Sequence, residues 1–253
     1  MSCLGCFLGL RCTTRARAAQ GASRVRWLLL AAVSIAVAGV WGMHFIAMLG
    51  FAIPGQVIRY SVPVTILSML IAVVVVSAGL LIIGFGGDGP GRLLGGGVIV
   101  GLGVAAMHYV GMSAMRMPDH MGYSSFLVLL SVIIAVVTGT VALWAALWLD
   151  SLWAALGACL LMGVGVSAMH YTGMAALHVH RDLAAGGLAG ALGGASASSF
   201  LGPLIFGVAV LTMVLTAAIS LSPTEAELRK ENEFIERLTS NYNGRSGPGS
   251  GAV

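Results

Sequence analysis

The sequence contains a set of long apolar runs without a single charged residue. Six of them are long enough to cross a membrane, at residues 27–50, 62–86, 93–115, 124–149, 152–177 and 200–221. A hydrocarbon core about 30 Å thick requires about 20 apolar residues, and a helix satisfies its backbone hydrogen bonds internally. Only 9% of the residues are charged, whereas a soluble domain has about a quarter. The sequence therefore predicts an all-α, polytopic transmembrane helix bundle in the lipid bilayer, with six full spans.

The first 26 residues do not form a full span. The run from Leu4 to Leu10 is apolar but too short to cross a bilayer, and arginines follow it. We interpret this run as the end of a truncated first helix, with a re-entrant fragment as the alternative. The predicted organisation is a truncated helix and basic cytoplasmic loop at 1–26, a transmembrane domain at 27–221, and a short acidic helix with a flexible tail at 222–253.

The positions of arginine and lysine predict the orientation of the chain. Cytoplasmic segments of membrane proteins are enriched in these two residues. Placing 11–26 and the C-terminal tail inside gives ten basic residues in the cytoplasm and three outside. We therefore predict a multi-pass protein of the cell membrane with a cytoplasmic C-terminus.

One short pattern occurs three times, in the second half of three of the apolar runs. It reads Met-His-Phe-Ile-Ala-Met at 43–48, Met-His-Tyr-Val-Gly-Met at 107–112 and Met-His-Tyr-Thr-Gly-Met at 169–174. The histidines are 64 and 62 residues apart. The three runs have the same predicted direction, so their histidines are expected in one layer, roughly 10 Å below the outer surface.

Histidine and methionine at this spacing are suitable ligands for a metal ion. On a helix, residues i and i+4 share a face, so each motif presents an imidazole beside a thioether. These groups suit copper, particularly Cu(I), whereas hard cations prefer carboxylates, which the motif helices lack. Ionisable residues within membrane helices usually serve a function. We predict a metal site formed by Met43, His44, Met48, Met107, His108, Met112, Met169, His170 and Met174.

Other polar residues near the motifs are weaker candidates. Tyr109 and Tyr171 follow two of the histidines and are candidates to hydrogen-bond a ligand or an imidazole. His120, His178 and His180 lie in predicted outer loops, where solvation is the simpler interpretation. The sequence has no phosphate-binding glycine loop, nucleotide fingerprint or nucleophile–base pair. We predict neither enzymatic activity nor nucleic-acid binding.

With these motifs the chain resembles the MHYT domain family, bacterial integral membrane sensor modules named after the sequence at 169–172. The resemblance extends over about residues 3–221. It implies a seven-helix protein whose Met and His residues bind copper near the outer face and sense a diatomic gas such as oxygen, carbon monoxide or nitric oxide. Many family members carry a cytoplasmic domain that makes or degrades cyclic di-GMP. The 32 residues after the last span predict no such domain, so we expect a separate cytoplasmic signalling partner.

Two alternative functions remain open from the sequence. Histidines on different helices can clamp a haem, which would make the chain a redox protein. A copper transporter requires ligands across the whole membrane, whereas the inner halves of these helices offer mainly Ser, Thr and Gly. The leading hypothesis is a copper-binding membrane sensor of a diatomic gas.

Overall fold

The computed structural model describes residues 1–53, 58–86, 89–117, 120–149, 151–180, 194–222, 233–237 and 239. The chain is mainly helical within these ranges. Its helices include, in chain order, α1 (Ser2–Ala18), α2 (Gly21–Val33), α3 (Gly42–Leu49), α4 (Val62–Gly86), α5 (Pro90–Ser113), α6 (Ser125–Trp148), α7 (Leu152–Ala175) and α8 (Ala197–Leu221). Ser34–Trp41 is a π-helical segment that joins α2 to α3. The two helices and this segment therefore form one continuous span of 29 residues.

Six helices are long and apolar enough to cross a membrane. They are Gly21–Leu49, Val62–Gly86, Pro90–Ser113, Ser125–Trp148, Leu152–Ala175 and Ser199–Leu221. They correspond to the six predicted runs, which confirms the predicted fold class, and the chain is a multi-pass membrane protein. The first span begins earlier than predicted because the chain reverses at Gly21, whose φ of 54° is in the left-handed region that favours glycine.

The segment 11–26 is helical, which differs from the predicted basic loop. It forms the end of α1 and the start of α2, which are joined by a two-residue turn. The guanidinium of Arg17 donates hydrogen bonds to the backbone oxygens of Ala146, Leu147 and Leu149 at the end of α6. Carbonyl groups in the last turn of a helix lack partners within that helix. Arg17 therefore attaches α1 to the end of α6.

Short strands lie where the motif helices end. β1 (Arg59–Tyr60) pairs with β2 (Met115–Arg116) and β5 (Ala195–Ser196), and β3 (His120–Tyr123) pairs with β4 (Leu177–His180). Both sheets are antiparallel.

The strands correct one prediction, that His120, His178 and His180 lie in loops. These residues belong to β3 and β4, with His120 opposite His180. Pairing between distant segments is a tertiary contact, and two-to-four-residue strands leave little pattern in the sequence.

The first span is the most buried helix of the bundle. In its most apolar stretch, 72% of the residues are buried, against 22% in α6 and α8. Large apolar side chains are exposed on the outer helices, such as Val74 on α4, Phe126 on α6 and Phe206 on α8. In a membrane protein such a surface faces lipid, so the first motif lies farther from lipid than most of the bundle.

The predicted acidic helix after Ser222 falls largely outside the described residues. Residues 233–237 are helical, and the rest of the predicted helix is not described. The chain divides into two compact units, Met1–Ile219 and Ser220–Val253. The three motifs and the whole candidate site belong to the first unit.

Candidate metal centre

The three motif histidines meet inside the first unit. His44 lies on α3, His108 on α5 and His170 on α7, and each is at most 1% exposed. The Nδ1 atom of His44 is 3.0 Å from Nδ1 of His170 and 3.2 Å from Nδ1 of His108. One ring nitrogen from each histidine lies within 4.8 Å of the other two. The structure thus brings together three predicted site residues that are far apart in the sequence.

The three imidazoles are arranged with approximate threefold symmetry. Their ring centroids are 4.9, 5.0 and 5.2 Å apart, and their planes are inclined at 80°, 79° and 90°. Each of the three repeats therefore contributes an equivalent ring to a common point. In the described part of the chain, no other group of three His, Cys, Asp or Glu side chains is positioned to share a metal ion.

Hydrogen bonding alone does not satisfy this cluster. A neutral imidazole has one N–H donor and one acceptor nitrogen. The Nδ1 atom of His44 contacts two other Nδ1 atoms, while Nε2 of His44 and Nε2 of His108 are buried without a hydrogen-bond partner. An unpartnered buried polar atom costs about 1–3 kcal/mol. A cation held by the Nδ1 lone pairs is one way to make the close contact of these nitrogens favourable.

Small residues make room for the imidazoles. A Cβ added at Gly111 would lie 2.6 Å from Nε2 of His44, and a Cβ added at Gly173 would overlap Nε2 of His108. Each glycine is the third residue after the histidine of its own motif, and Ala47 has that position in the first motif. The role of these two glycines in accommodating the imidazoles was not predicted from the sequence. The glycines are visible in the repeat, but their role depends on which helix packs beside them.

The six motif methionines differ in burial. Met48, Met107, Met112 and Met169 are at most 1% exposed, and Met43 and Met174 are half-buried. Four of the motif thioethers are therefore buried, and they lie on the same helices as the imidazoles. The assignment of all six as metal ligands stays a prediction.

An aromatic residue follows each histidine and packs edge-on against its imidazole. The ring centroids of Phe45, Tyr109 and Tyr171 are 4.7, 4.9 and 5.1 Å from those of the preceding histidines. Their surroundings differ, since Phe45 is fully buried whereas 62% of Tyr171 is exposed. The hydroxyl of Tyr109 is 2.7 Å from Oγ of Ser131 and hydrogen-bonds this serine rather than an imidazole.

The first motif has its own buried support. Trp41, at the end of the π-helical segment, donates a hydrogen bond from Nε1 to Oγ of Ser68 on α4, at 3.0 Å. The hydroxyl of Ser68 in turn donates to the carbonyl oxygen of Thr65, at 2.7 Å. Trp41 also packs against Phe45, with ring centroids 4.8 Å apart. π-Helical turns are frequent at functional sites, but this one was not predicted from the sequence.

Tyr109 and Tyr171 form a matched pair for testing the aromatic position. We expect Tyr109→Phe to lower the free energy of unfolding by about 1 kcal/mol, because it removes a hydrogen bond to Ser131. Ser131 keeps its other bond, to the carbonyl oxygen of Val128. Tyr171→Phe is expected to have no measurable effect, because this side chain is largely exposed. Chemical unfolding of the two variants in detergent measures the difference in stability. Equal stability of the two variants would refute the stabilising hydrogen bond between Tyr109 and Ser131.

Comparison with protein families identifies the repeat. The profile described as "Bacterial signalling protein N terminal repeat", MHYT, matches residues 38–96 and 101–159. Each matched segment contains one motif and the helix that follows. The chain belongs to the MHYT domain family. Its third MHYT motif, at 169–174, lies beyond the second matched segment and continues the same spacing. The predicted resemblance is confirmed.

Curated relatives of this MHYT protein are signalling proteins. It is 31% identical over 231 residues to the bifunctional diguanylate cyclase/cyclic di-GMP phosphodiesterase MucR of Pseudomonas aeruginosa, covering 89% of this chain and 33% of MucR. It is 41% identical over 145 residues to the cyclic di-GMP phosphodiesterase NbdA of the same species, covering 55% of this chain and 18% of NbdA. An uncharacterized signaling protein of Caulobacter vibrioides is 36% identical over 179 residues, covering 70% of this chain and 22% of that protein.

The MHYT chain spans about a third or less of the length of these relatives. The activities in their names are those of the relatives. The part they share with this chain is the membrane region that carries the motifs, which supports a sensor role in signal transduction. No solved structure matches the chain.

Proposed function

We propose that this chain is a membrane sensor that binds copper through its three motif histidines and responds to a diatomic gas. The observation that carries the proposal is the meeting of three buried imidazoles, whose ring nitrogens lie within 4.8 Å of one another. Ionisable side chains within membrane helices are costly and usually functional. Three of them, one from each repeat, are difficult to explain as ordinary packing residues.

The distances suit a single metal ion. Bonds of about 2.0–2.1 Å from a metal to imidazole nitrogens separate those nitrogens by about 3.3–3.6 Å in tetrahedral or trigonal geometry. The two Nδ1–Nδ1 distances of 3.0 and 3.2 Å are within a few tenths of an ångström of that range. The third pair, His108 and His170, has ring nitrogens within 4.8 Å of each other, so binding of one ion to all three rings would require these side chains to adjust.

The donor set favours copper among the metals that imidazole binds. No Asp or Glu lies on the motif helices, which disfavours calcium, magnesium and manganese. The same helices also carry the buried thioethers of Met48, Met107, Met112 and Met169, and thioethers are soft donors of the kind that favours Cu(I). Zinc is the principal competitor, and metal analysis distinguishes the two.

The geometry disfavours the two alternative functions. A haem clamped by two histidines lies between their imidazoles, and an Nδ1–Nδ1 distance of 3.0 Å leaves no space for a macrocycle between His44 and His170. One turn away from the histidines, Val40, Val104 and Val166 occupy the same helix faces. These apolar side chains offer no ligands for carrying an ion farther through the bundle.

The proposed signalling path begins at the histidines. In the orientation favoured by the basic residues, the metal centre is near the outer face and the arginines of α1 and α2 are cytoplasmic. A gas that binds the metal would alter how α3, α5 and α7 pack. The opposite ends of the spans and the C-terminal tail would transmit this change to a separate cytoplasmic protein. The names of the relatives support a role in signalling.

Metal analysis of the purified protein tests the proposal. We expect about one copper per chain in the wild type and none in the triple variant His44→Ala, His108→Ala, His170→Ala. His178→Ala is the matched control, because this histidine is exposed on β4. The His178→Ala variant should retain full copper occupancy. Full occupancy in a folded triple variant, or stoichiometric zinc or iron instead of copper, would contradict the proposal.

A further inference from the structure

A small cavity lies inside the bundle, one helical turn from the histidines. It has an open volume of about 30 Å³ and is lined almost entirely by apolar groups. Val40, Val104 and Val166 all line it, and each precedes a motif histidine by four residues. Residues i and i+4 share a helix face, so the cavity adjoins the histidine cluster from all three repeats. A cavity of this measure has room for about two water-sized atoms.

A wider groove opens on the exposed surface between α6 and α7. It has an open volume of about 420 Å³, and its walls include Ile133, Val137 and Val164, which are 50%, 58% and 66% exposed. Thr138 and Met162 line both this groove and the inner cavity. Only these two side chains are shared, so they form the boundary between the bilayer side and the cavity.

We infer that small apolar gas molecules enter from the bilayer through this groove and occupy the cavity beside the histidines. Apolar cavities of proteins stay dry and bind xenon and other apolar molecules. Entry past an apolar wall excludes ions and strongly polar molecules, because burying them without partners is costly. Binding in the cavity requires no metal. Its role as the supply of gas to a sensor rests on the proposed function.

Xenon binding tests the cavity in the whole chain, without added metal. In xenon-129 magnetic resonance of the detergent-solubilised protein, we expect one saturable site. Val166→Leu should fill the cavity and weaken xenon binding at least fivefold, whereas Val166→Ala should enlarge it and strengthen binding. Val74→Leu is the matched control, because Val74 is 64% exposed on α4 and does not line the cavity. The absence of a saturable site, or equal affinity in all four proteins, would overturn the inference.

The route is tested separately in lipid nanodiscs. Val137 lines the groove but not the cavity, so Val137→Trp should slow xenon exchange at least fivefold and leave the affinity unchanged. Val74→Trp should change neither quantity. Unaltered exchange in Val137→Trp would overturn the route between α6 and α7.

Metal content, measured on the same preparations, separates this inference from the proposed function. Copper without a xenon site would overturn the cavity inference alone. A xenon site in a protein that binds no copper would overturn the proposed function alone, and the cavity would remain as a binding site for apolar molecules.

Discussion

Replacing Gly173 with Ala is expected to weaken copper binding at least tenfold, which corresponds to about 1.4 kcal/mol. The added Cβ would overlap Nε2 of His108. His108 is fully buried and its ring contacts His44, so the ring cannot retreat without displacing its Nδ1 atom from the cluster. Overpacking of this kind typically also lowers stability by about 1–3 kcal/mol.

The control for this variant is Gly157→Ala on the same helix, where an added Cβ meets no atom within 4 Å. Copper titration of both purified variants, together with their unfolding curves, distinguishes a site effect from a loss of fold. Gly111→Ala should act in the same direction, because its Cβ would lie 2.6 Å from Nε2 of His44. Wild-type copper affinity in Gly173→Ala would show that this glycine does not position His108.

Gly101→Ala is expected to destabilise the bundle by about 3 kcal/mol, the upper end of ordinary overpacking. A Cβ at this position would lie 2.6 Å from the backbone nitrogen of Val136 and 2.9 Å from the carbonyl carbon of Ala135. Backbone atoms cannot rotate away as a side chain can, so α5 and α6 must separate. Small residues allow such close approach of helices in membranes.

Gly95→Ala on the same helix is expected to increase the stability of the bundle. Its added Cβ meets nothing within 4 Å, and alanine is favoured over glycine inside a helix by about 0.5–1 kcal/mol. Reversible unfolding in detergent compares the two variants with the wild type. If Gly101→Ala proved as stable as Gly95→Ala, the close contact of α5 and α6 would be refuted.

The spans and the common depth of the three histidines were predictable from the sequence. Long uncharged apolar runs admit few structures other than membrane helices. Alternate spans of a bundle run in the same direction, so motifs near the ends of three such spans lie at one depth. Because His44, His108 and His170 repeat in phase with the helices, the sequence placed them in one layer.

The features that the sequence did not predict depend on which helix packs beside which. Nothing in the sequence indicates that Gly173 contacts His108. The same is true of Trp41 and Ser68, which are on separate spans. Leu4 to Leu10 looked like a fragment because hydropathy alone does not show that α1 continues to Ala18 through several arginines.

X-ray absorption at the copper edge of the copper-loaded protein tests whether the three motif histidines bind copper. We expect a single copper whose spectrum shows scattering from three imidazole rings, and loss of that scattering in the triple variant His44→Ala, His108→Ala, His170→Ala. Additional sulfur neighbours would assign motif methionines as ligands. Copper without imidazole neighbours, or a spectrum that the triple substitution leaves unchanged, would show that the three histidines are not copper ligands.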